Sequence, residues 1–309
     1  MQVSGEITLT DISLSTMWSM NYQNMTEFIR DAREFGFTHL ELNTSLTPGK
    51  LNELRAIEGV EVSSVHAPCP NTLTSDGSRA SSLSLSSLNE DERQEAVNFT
   101  KSTIDLASEL KARVVILHAG WVDANPEMEK ELRNLHERGL AESDEFQDLK
   151  CKLTNIRGFM ACPHIDAVKE SLLELAGYAR ARKVQLALEN RVNSYEIPNI
   201  DEMLDILEEF QPEVVGYWHD VGHAEIQARL GFTPHDEWLM ALEERLIGTH
   251  LHDVRGIRDH FAPGLGEQNW DLIAESLPKN ALRVCEIGEW NDSEDAHKAV
   301  AFLQSKGIV

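Results

Sequence analysis

Eight times along its 309 residues the chain passes from a short apolar run to a longer amphipathic segment, and this alternation constrains the fold more than any other feature. Runs rich in Val, Ile and Leu predict strands over 7–16, 38–43, 61–66, 113–118, 184–189, 214–220, 246–252 and 282–287. Helical patterns fall between them, over 25–35, 50–58, 91–110, 166–182, 200–210, 224–230 with 234–243, 270–276 and 295–305. Parallel strands need crossover connections, and strands covered on both faces read as near-continuous apolar runs. Eight such units predict a closed parallel (β/α)8 TIM barrel of the α/β class. No linker or shift of composition divides the chain, so residues 1–309 are expected to form one domain.

Two insertions interrupt the repeat, at about 70–89 and 125–164. The first is rich in Ser and reads as a mobile loop, ended by Asn89 as the cap of the next helix. The second spaces Leu132, Leu135, Phe146, Leu149, Leu153 and Ile156 among charges, as one or two amphipathic helices would. Both follow the C-terminal end of a strand, which is the functional face of such a barrel, and a lid or a dimer arm is expected.

The formal net charge of −24 opposes binding to phosphate backbones, which draws affinity from Lys and Arg. Most of this acid is expected on outer helices, serving solubility. A small-molecule partner is the expectation, with no nucleic acid and no membrane, since no stretch approaches the ~20 apolar residues of a span. The start, MQVSGEITLT, lacks a basic segment followed by an apolar run, so no signal peptide is expected. Cys69, Cys151, Cys162 and Cys285 form no CxxC pair, and a cytoplasmic location with reduced thiols is expected. A homodimer is compatible with the sequence, although no motif demands it.

The strand ends carry the chemistry. Strand three ends in His66, strand four in His118, strand five in Glu189 and strand six in Asp220, followed by His223. Strand seven ends in His250 and His252, and strand eight in Glu286. Burying several unpaired carboxylates costs several kcal/mol each, and a bound cation removes that penalty. Neighbouring strands lie about 4.8 Å apart. Glu189, Asp220, His250 and Glu286 are therefore expected to hold one divalent ion, of Mn, Mg, Co or Zn type. His219 is expected to face the helices if Asp220 faces the axis, by strand alternation. No role is assigned to His39, His136, His164, His235 or His297. In the loop after strand seven, Arg255 or Arg258 would clamp an oxygen-rich substrate. The Gly-rich turn there is no phosphate loop, and Asn269 is expected to cap the next helix. Trp18 and Trp121 would offer flat apolar walls to a ligand, and Arg191 and Tyr195 would contact substrate.

The motifs VHAP, LHAGW, LALEN, HDVGHA and THLHD, with the strand-eight Glu, resemble the xylose-isomerase-like barrel superfamily over about 7–301. That superfamily includes sugar isomerases and epimerases, inosose dehydratase and zinc-dependent AP endonucleases. The resemblance to its epimerases implies one metal on Glu189, Asp220, His250 and Glu286, with Glu189 and Glu286 also acting as the acid/base pair. It further implies that His223 contacts substrate and that His66 and His118 line the pocket. In the endonucleases all these positions bind zinc, and an Asp and a His separated by one residue hold a third ion. Here Asp259 and His260 are adjacent, which with the acidic charge argues against a nuclease.

The expected function is a metal-dependent isomerase or epimerase of a sugar or related polyhydroxy carbonyl compound, working by proton transfer through an enediolate. The alternatives are an inosose-dehydratase-like lyase, a zinc endonuclease-like phosphodiesterase and a metal-binding protein without turnover.

Overall fold

Strands two to eight form within a residue or two of their predicted places: His39–Leu42, Val62–His66, Val114–Leu117, Gln185–Glu189, Val215–Asp220, Leu246–Leu251 and Leu282–Cys285. The computed structural model describes residues 11–74 and 76–309. The first strand is observed over Ser13–Ser15, and the 7–10 part of its prediction lies outside the described residues. Each strand pairs in parallel with its neighbours in sequence, and pairing of Ser13 with Val284 closes the ring of eight. The chain is a single-domain TIM barrel.

Strand alternation decides what faces inward. Along Val215–Asp220, Tyr217 and His219 turn to the helices while Trp218 and Asp220 turn to the axis. The His219 ring packs beneath a helix, as expected, between the Tyr217 hydroxyl (2.6 Å) and His235 Nε2 (3.0 Å). The barrel interior holds Val114, Ile116, Ala187, Trp218 and Val284. The Trp218 ring lies over Gly248, where an added Cβ would meet it at 2.0 Å. That ring is the floor on which His250 rests, with ring centroids 5.2 Å apart.

The helix capped by Asn89 begins at Glu90, and Asn89 Oδ1 accepts from the Asp91 amide at 3.0 Å. Asn269 likewise caps Trp270–Ser276. The second insertion differs from its prediction. One helix covers Pro126–Glu137, but the next runs from Asp144 to Arg182 without a break, so the helix predicted to begin at 166 begins 22 residues earlier. Pro163 sits inside it. An interior proline costs about 3 kcal/mol. Burial of Leu153, Arg157, Ala161, His164 and Val168 along one face offsets that cost. With Leu132, Leu135 and Phe146, Leu153 also builds a second small core against Ile226, Leu230, Val254 and Ile257, beside the barrel mouth.

The first insertion is tied down where a mobile loop was expected. Ser84, Leu85 and Ser86 are buried, and Ser86 Oγ bonds both the carbonyl (2.8 Å) and the amide (2.9 Å) of Trp121. His164, assigned no role from sequence, meets the Ser86 carbonyl at 2.7 Å and so joins the two insertions. No helix among the described residues is long and apolar enough to cross a membrane.

Beyond strand seven the predicted loop is a hairpin, Asp253–Arg255 against Arg258–Phe261. Asp253 organises the segment that leads from this hairpin to the next helix. Its fully buried carboxylate accepts from the amides of Val254 (3.0 Å), Gly264 (2.9 Å) and Gln268 (3.0 Å) and from Trp270 Nε1 (3.0 Å). Each buried donor left unpaired costs about 1–3 kcal/mol. Asp253→Ala is expected to lower the unfolding free energy by roughly 3–5 kcal/mol, read by urea denaturation. A loss below ~1 kcal/mol would show that water replaces the carboxylate.

Candidate metal centre at the barrel mouth

The strand ends bring Glu189, Asp220, His250 and Glu286 together, with one ligand atom from each lying within 4.8 Å of the others. His250 is the hub. Its Nδ1 lies 2.7 Å from Glu189 Oε1, 3.1 Å from Glu286 Oε2 and 3.5 Å from Asp220 Oδ2. All four side chains are buried. Glu189, Asp220 and His250 end adjoining strands, and the Asp220–His250 pair is in direct register. Asp220 also caps the helix Val221–Arg229, accepting from the His223 amide at 2.7 Å. The same turn thereby fixes both the carboxylate and the histidine three residues on.

Sequence reasoning missed Glu41. It belongs to the second strand, is fully buried, and places Oε1 3.1 Å from His250 Nε2. Ser64 Oγ donates to its Oε2 at 2.8 Å. A carboxylate on the far nitrogen of an imidazole fixes its tautomer and raises its basicity as a ligand. With Nε2–H donated to Glu41, the Nδ1 lone pair faces three carboxylate oxygens. That arrangement is repulsive unless a proton or a metal ion lies between, and a three-carboxylate, one-imidazole donor set fits a divalent cation. Glu41→Gln is expected to weaken divalent-ion affinity about 10–100-fold, read by calorimetric titration. Unchanged affinity would remove Glu41 from the centre.

Two further groups flank this one. His66, His118 and Glu189 form the first, and His223, Asp259 and His260 the second. The His66, His223 and His260 rings follow the same rule as His250. Their Nδ1 atoms face the carbonyls of Ala67 (3.2 Å), Asn190 (3.0 Å) and Glu286 (3.1 Å). In a neutral ring, donation there leaves Nε2 with the lone pair. The adjacency of Asp259 and His260, read from sequence as a departure from a metal pattern, does not keep them apart. His260 has φ 57°, the left-handed region that few non-glycine residues occupy, and this breaks strand alternation so that both side chains turn the same way. His252 supports the centre from outside it, with Nε2 2.9 and 3.0 Å from the two Asp220 oxygens and Nδ1 accepting from the His260 amide at 3.0 Å.

Burial pushes the carboxyls of Glu189, Asp220 and Glu286 up, but the surrounding imidazoles outweigh it. The His250 ring holds Glu189 well below the usual range, His223 and His252 do the same for Asp220, and His250 and His66 lower Glu286. Burial opposes protonation of His250, His66 and His252, yet their carboxylate neighbours raise all three, with His252 reaching about 9.

Two residues expected at the substrate are placed elsewhere. Trp18 is a core residue, 1% exposed, with Nε1 donating to the Asn291 carbonyl and its ring against Tyr22 and Phe35. It offers no wall to a pocket, because the short helix Thr16–Asn21 turns it under the rim. Arg255 points to solvent, donating to the Leu265 carbonyl at 2.5 Å with its guanidinium over the Phe261 ring. His66, His118 and Arg191 converge on Glu189 Oε2, and His223 Nδ1 lies 3.6 Å from Asp220 Oδ2. His118 keeps 39% of its side chain open and, with Trp121 and Glu196, lines a cavity under the first insertion.

A closed parallel barrel with buried carboxylates and imidazoles gathered at its C-terminal mouth defines a class of barrel built around a polar reaction centre. The chain belongs to the xylose isomerase-like TIM barrel family, whose model matches residues 29–306. It is 27% identical over 272 residues to the uncharacterized protein y4fM of Sinorhizobium fredii (strain NBRC 101917 / NGR234), covering 81% of this chain and 76% of that one. Among solved structures, a D-tagatose 3-epimerase-like protein superposes with a TM-score of 0.67 at 20% identity, covering 96% of each chain. A Thermus thermophilus protein soaked with ZnCl2 gives 0.62 at 22% identity, covering 96% of this chain and 97% of that one. At these identities the two structures show a shared fold.

Proposed function

We propose that the chain is a divalent-metal-dependent isomerase or epimerase acting on a sugar or related polyhydroxy carbonyl compound. The observation that carries this reading is the pair of buried glutamates, Glu189 and Glu286, that reach one imidazole nitrogen from two non-adjacent strands, at 2.7 and 3.1 Å. The likeness to a D-tagatose 3-epimerase-like protein supports it. Glu189, Asp220, His250 and Glu286 would hold the ion, which supplies Lewis acidity toward carbonyl and hydroxyl oxygens. One glutamate takes the proton from the carbon beside the carbonyl. The other returns a proton to the neighbouring carbon, which isomerises the substrate, or to the same carbon from its opposite face, which epimerises it. Each base is oriented by the chain. Asn43 Nδ2 donates to Glu286 Oε1 at 3.1 Å, leaving Oε2 toward the centre. His118 and Arg191 engage Glu189 Oε2 at 2.7 and 3.0 Å, leaving Oε1.

Incubation with a panel of ketoses and aldoses in deuterated water tests this. Deuterium is expected at a sugar carbon, and Glu286→Gln is expected to slow its uptake at least ~100-fold. Wild-type protein loaded with metal that exchanges no sugar carbon would overturn the reading. A product lighter by one water would instead assign the lyase. A second reading, phosphoester hydrolysis at a multi-ion centre, is favoured by the two flanking groups. The net charge of −24 counts against a nucleic-acid substrate, and nicking of an abasic duplex would reverse that judgement.

A further inference from the structure

The His66–His118–Glu189 group already contains a cation. Arg191, two residues beyond the end of strand five, sends its guanidinium back over that strand end. Its Nη1 lies 2.6 Å from His118 Nε2 and 3.0 Å from Glu189 Oε2. Those two acceptors are themselves only 2.7 Å apart, and His66 Nε2 is 3.3 Å from the same Glu189 oxygen. Nη1 carries two hydrogens, and the two acceptors take one each. The rest of the fork is pinned from behind. Arg191 Nε and Nη2 both face Glu196 Oε1, at 3.1 and 3.0 Å. The Glu196 carboxylate is in turn fixed by the Asn193 amide and Asn193 Nδ2, each 2.9 Å away. The Arg191 side chain is 11% exposed, so little water competes for these donors.

We propose that the Arg191 guanidinium takes the place of a metal ion in the His66–His118–Glu189 group, so that no divalent ion enters that group. This rests on reading the strand-end groups as metal sites. A divalent ion bound there would sit about 2.0–2.2 Å from His118 Nε2 and a Glu189 oxygen. Nη1 occupies that space, and a second positive charge against a nearly buried guanidinium would be strongly repelled. A protein-borne charge differs from an ion in one functional respect. Chelators cannot remove it and pH cannot neutralise it, since guanidinium stays protonated. Glu189 Oε2 is therefore held permanently, and only Oε1 faces the shared centre. Arg191 is in this sense a positioning residue.

The experiment counts ions. Wild-type protein, Arg191→Ala and the double variant Arg191→Ala/His118→Ala are stripped with chelator, equilibrated with excess zinc, desalted, and measured by plasma mass spectrometry. The expected result is one more zinc ion per chain in Arg191→Ala than in the wild type, and its loss in the double variant. Three ions in the wild type, or no gain in a folded Arg191→Ala, would overturn the proposal. Should Arg191→Ala not fold, His118→Ala in the otherwise unchanged chain decides. An unchanged count supports the proposal, whereas a count lower by one shows that the group held an ion beside the arginine. If no protein retains zinc at all, the metal-centre reading itself falls. That outcome is distinct from one in which the wild type binds three.

Discussion

Glu189→Gln is expected to cost the barrel its ion binding and its turnover together. The Glu189 carboxylate belongs both to the His250 group and to the His66–His118 group, and among the described residues no other belongs to two. Its Oε1 meets His250 Nδ1 at 2.7 Å, while its Oε2 meets His118, Arg191 and His66 at 2.7, 3.0 and 3.3 Å. A glutamine keeps the shape but loses the charge, and it turns an NH2 toward one of these sets of partners. Ion affinity is expected to fall by more than the ~100-fold typical of losing a supporting residue. Solvent-deuterium exchange into sugar is expected to fall by at least ~10³, because base and ion fail together. Stability is expected to drop by roughly 3–5 kcal/mol, since Arg191 is left nearly buried without one of its counter-charges. Calorimetric titration, exchange rates and urea denaturation read the three effects separately. A folded Glu189→Gln protein with wild-type ion affinity would exclude Glu189 as a ligand, whatever its activity.

That one residue can be assigned so much follows from how the barrel displays its sequence. Parallel strands put all their C-terminal ends on one face, so a His or a carboxylate closing each strand from the third to the eighth could be read from the sequence as one cluster. Closure brings Glu189, Asp220, His250 and Glu286 together as that logic requires. Glu41 was not legible because nothing local marks it. It lies within HLEL on the second strand, and its partner His250 is 209 residues away. The side on which Asp259 and His260 fall depends on one backbone angle, φ 57° at His260, which no residue pattern announces. The helix Asp144–Arg182 was not legible as one element, because local propensity opposes continuing a helix through Pro163, while burial on one helix face decides otherwise. Arg191 read as a substrate contact because an arginine near a catalytic strand end suits a polar substrate. Its engagement with His118 and Glu189 emerges only with the side chains in place.

Chelated protein is expected to lose stability between pH 6.5 and 8.5, and ion-loaded protein is expected to lose much less. In the absence of an ion, His250 and His66 offset their carboxylate neighbours by binding protons, and their pKa values are raised. In the unfolded chain a histidine titrates near ~6.5. A group with its folded value raised in this way adds stability that is complete below about pH 6.5 and disappears as pH rises through the folded value. The histidines with lowered values, His118, His219 and His260, act with the opposite sign, because the unfolded chain sheds its histidine protons just above pH 6.5 while these rings are already neutral in the folded chain; that gain is largely complete by about pH 7.5. A bound divalent ion takes over the charge compensation. An imidazole ligand must give up its proton, so loading releases protons and flattens the dependence. Urea denaturation at pH 6.5, 7.5 and 8.5, with chelator and with saturating divalent ion, reads both slopes. Equal slopes would mean that the imidazoles at the barrel mouth keep their protons whether or not an ion is supplied, and that the carboxylates there are balanced by histidine rather than by metal.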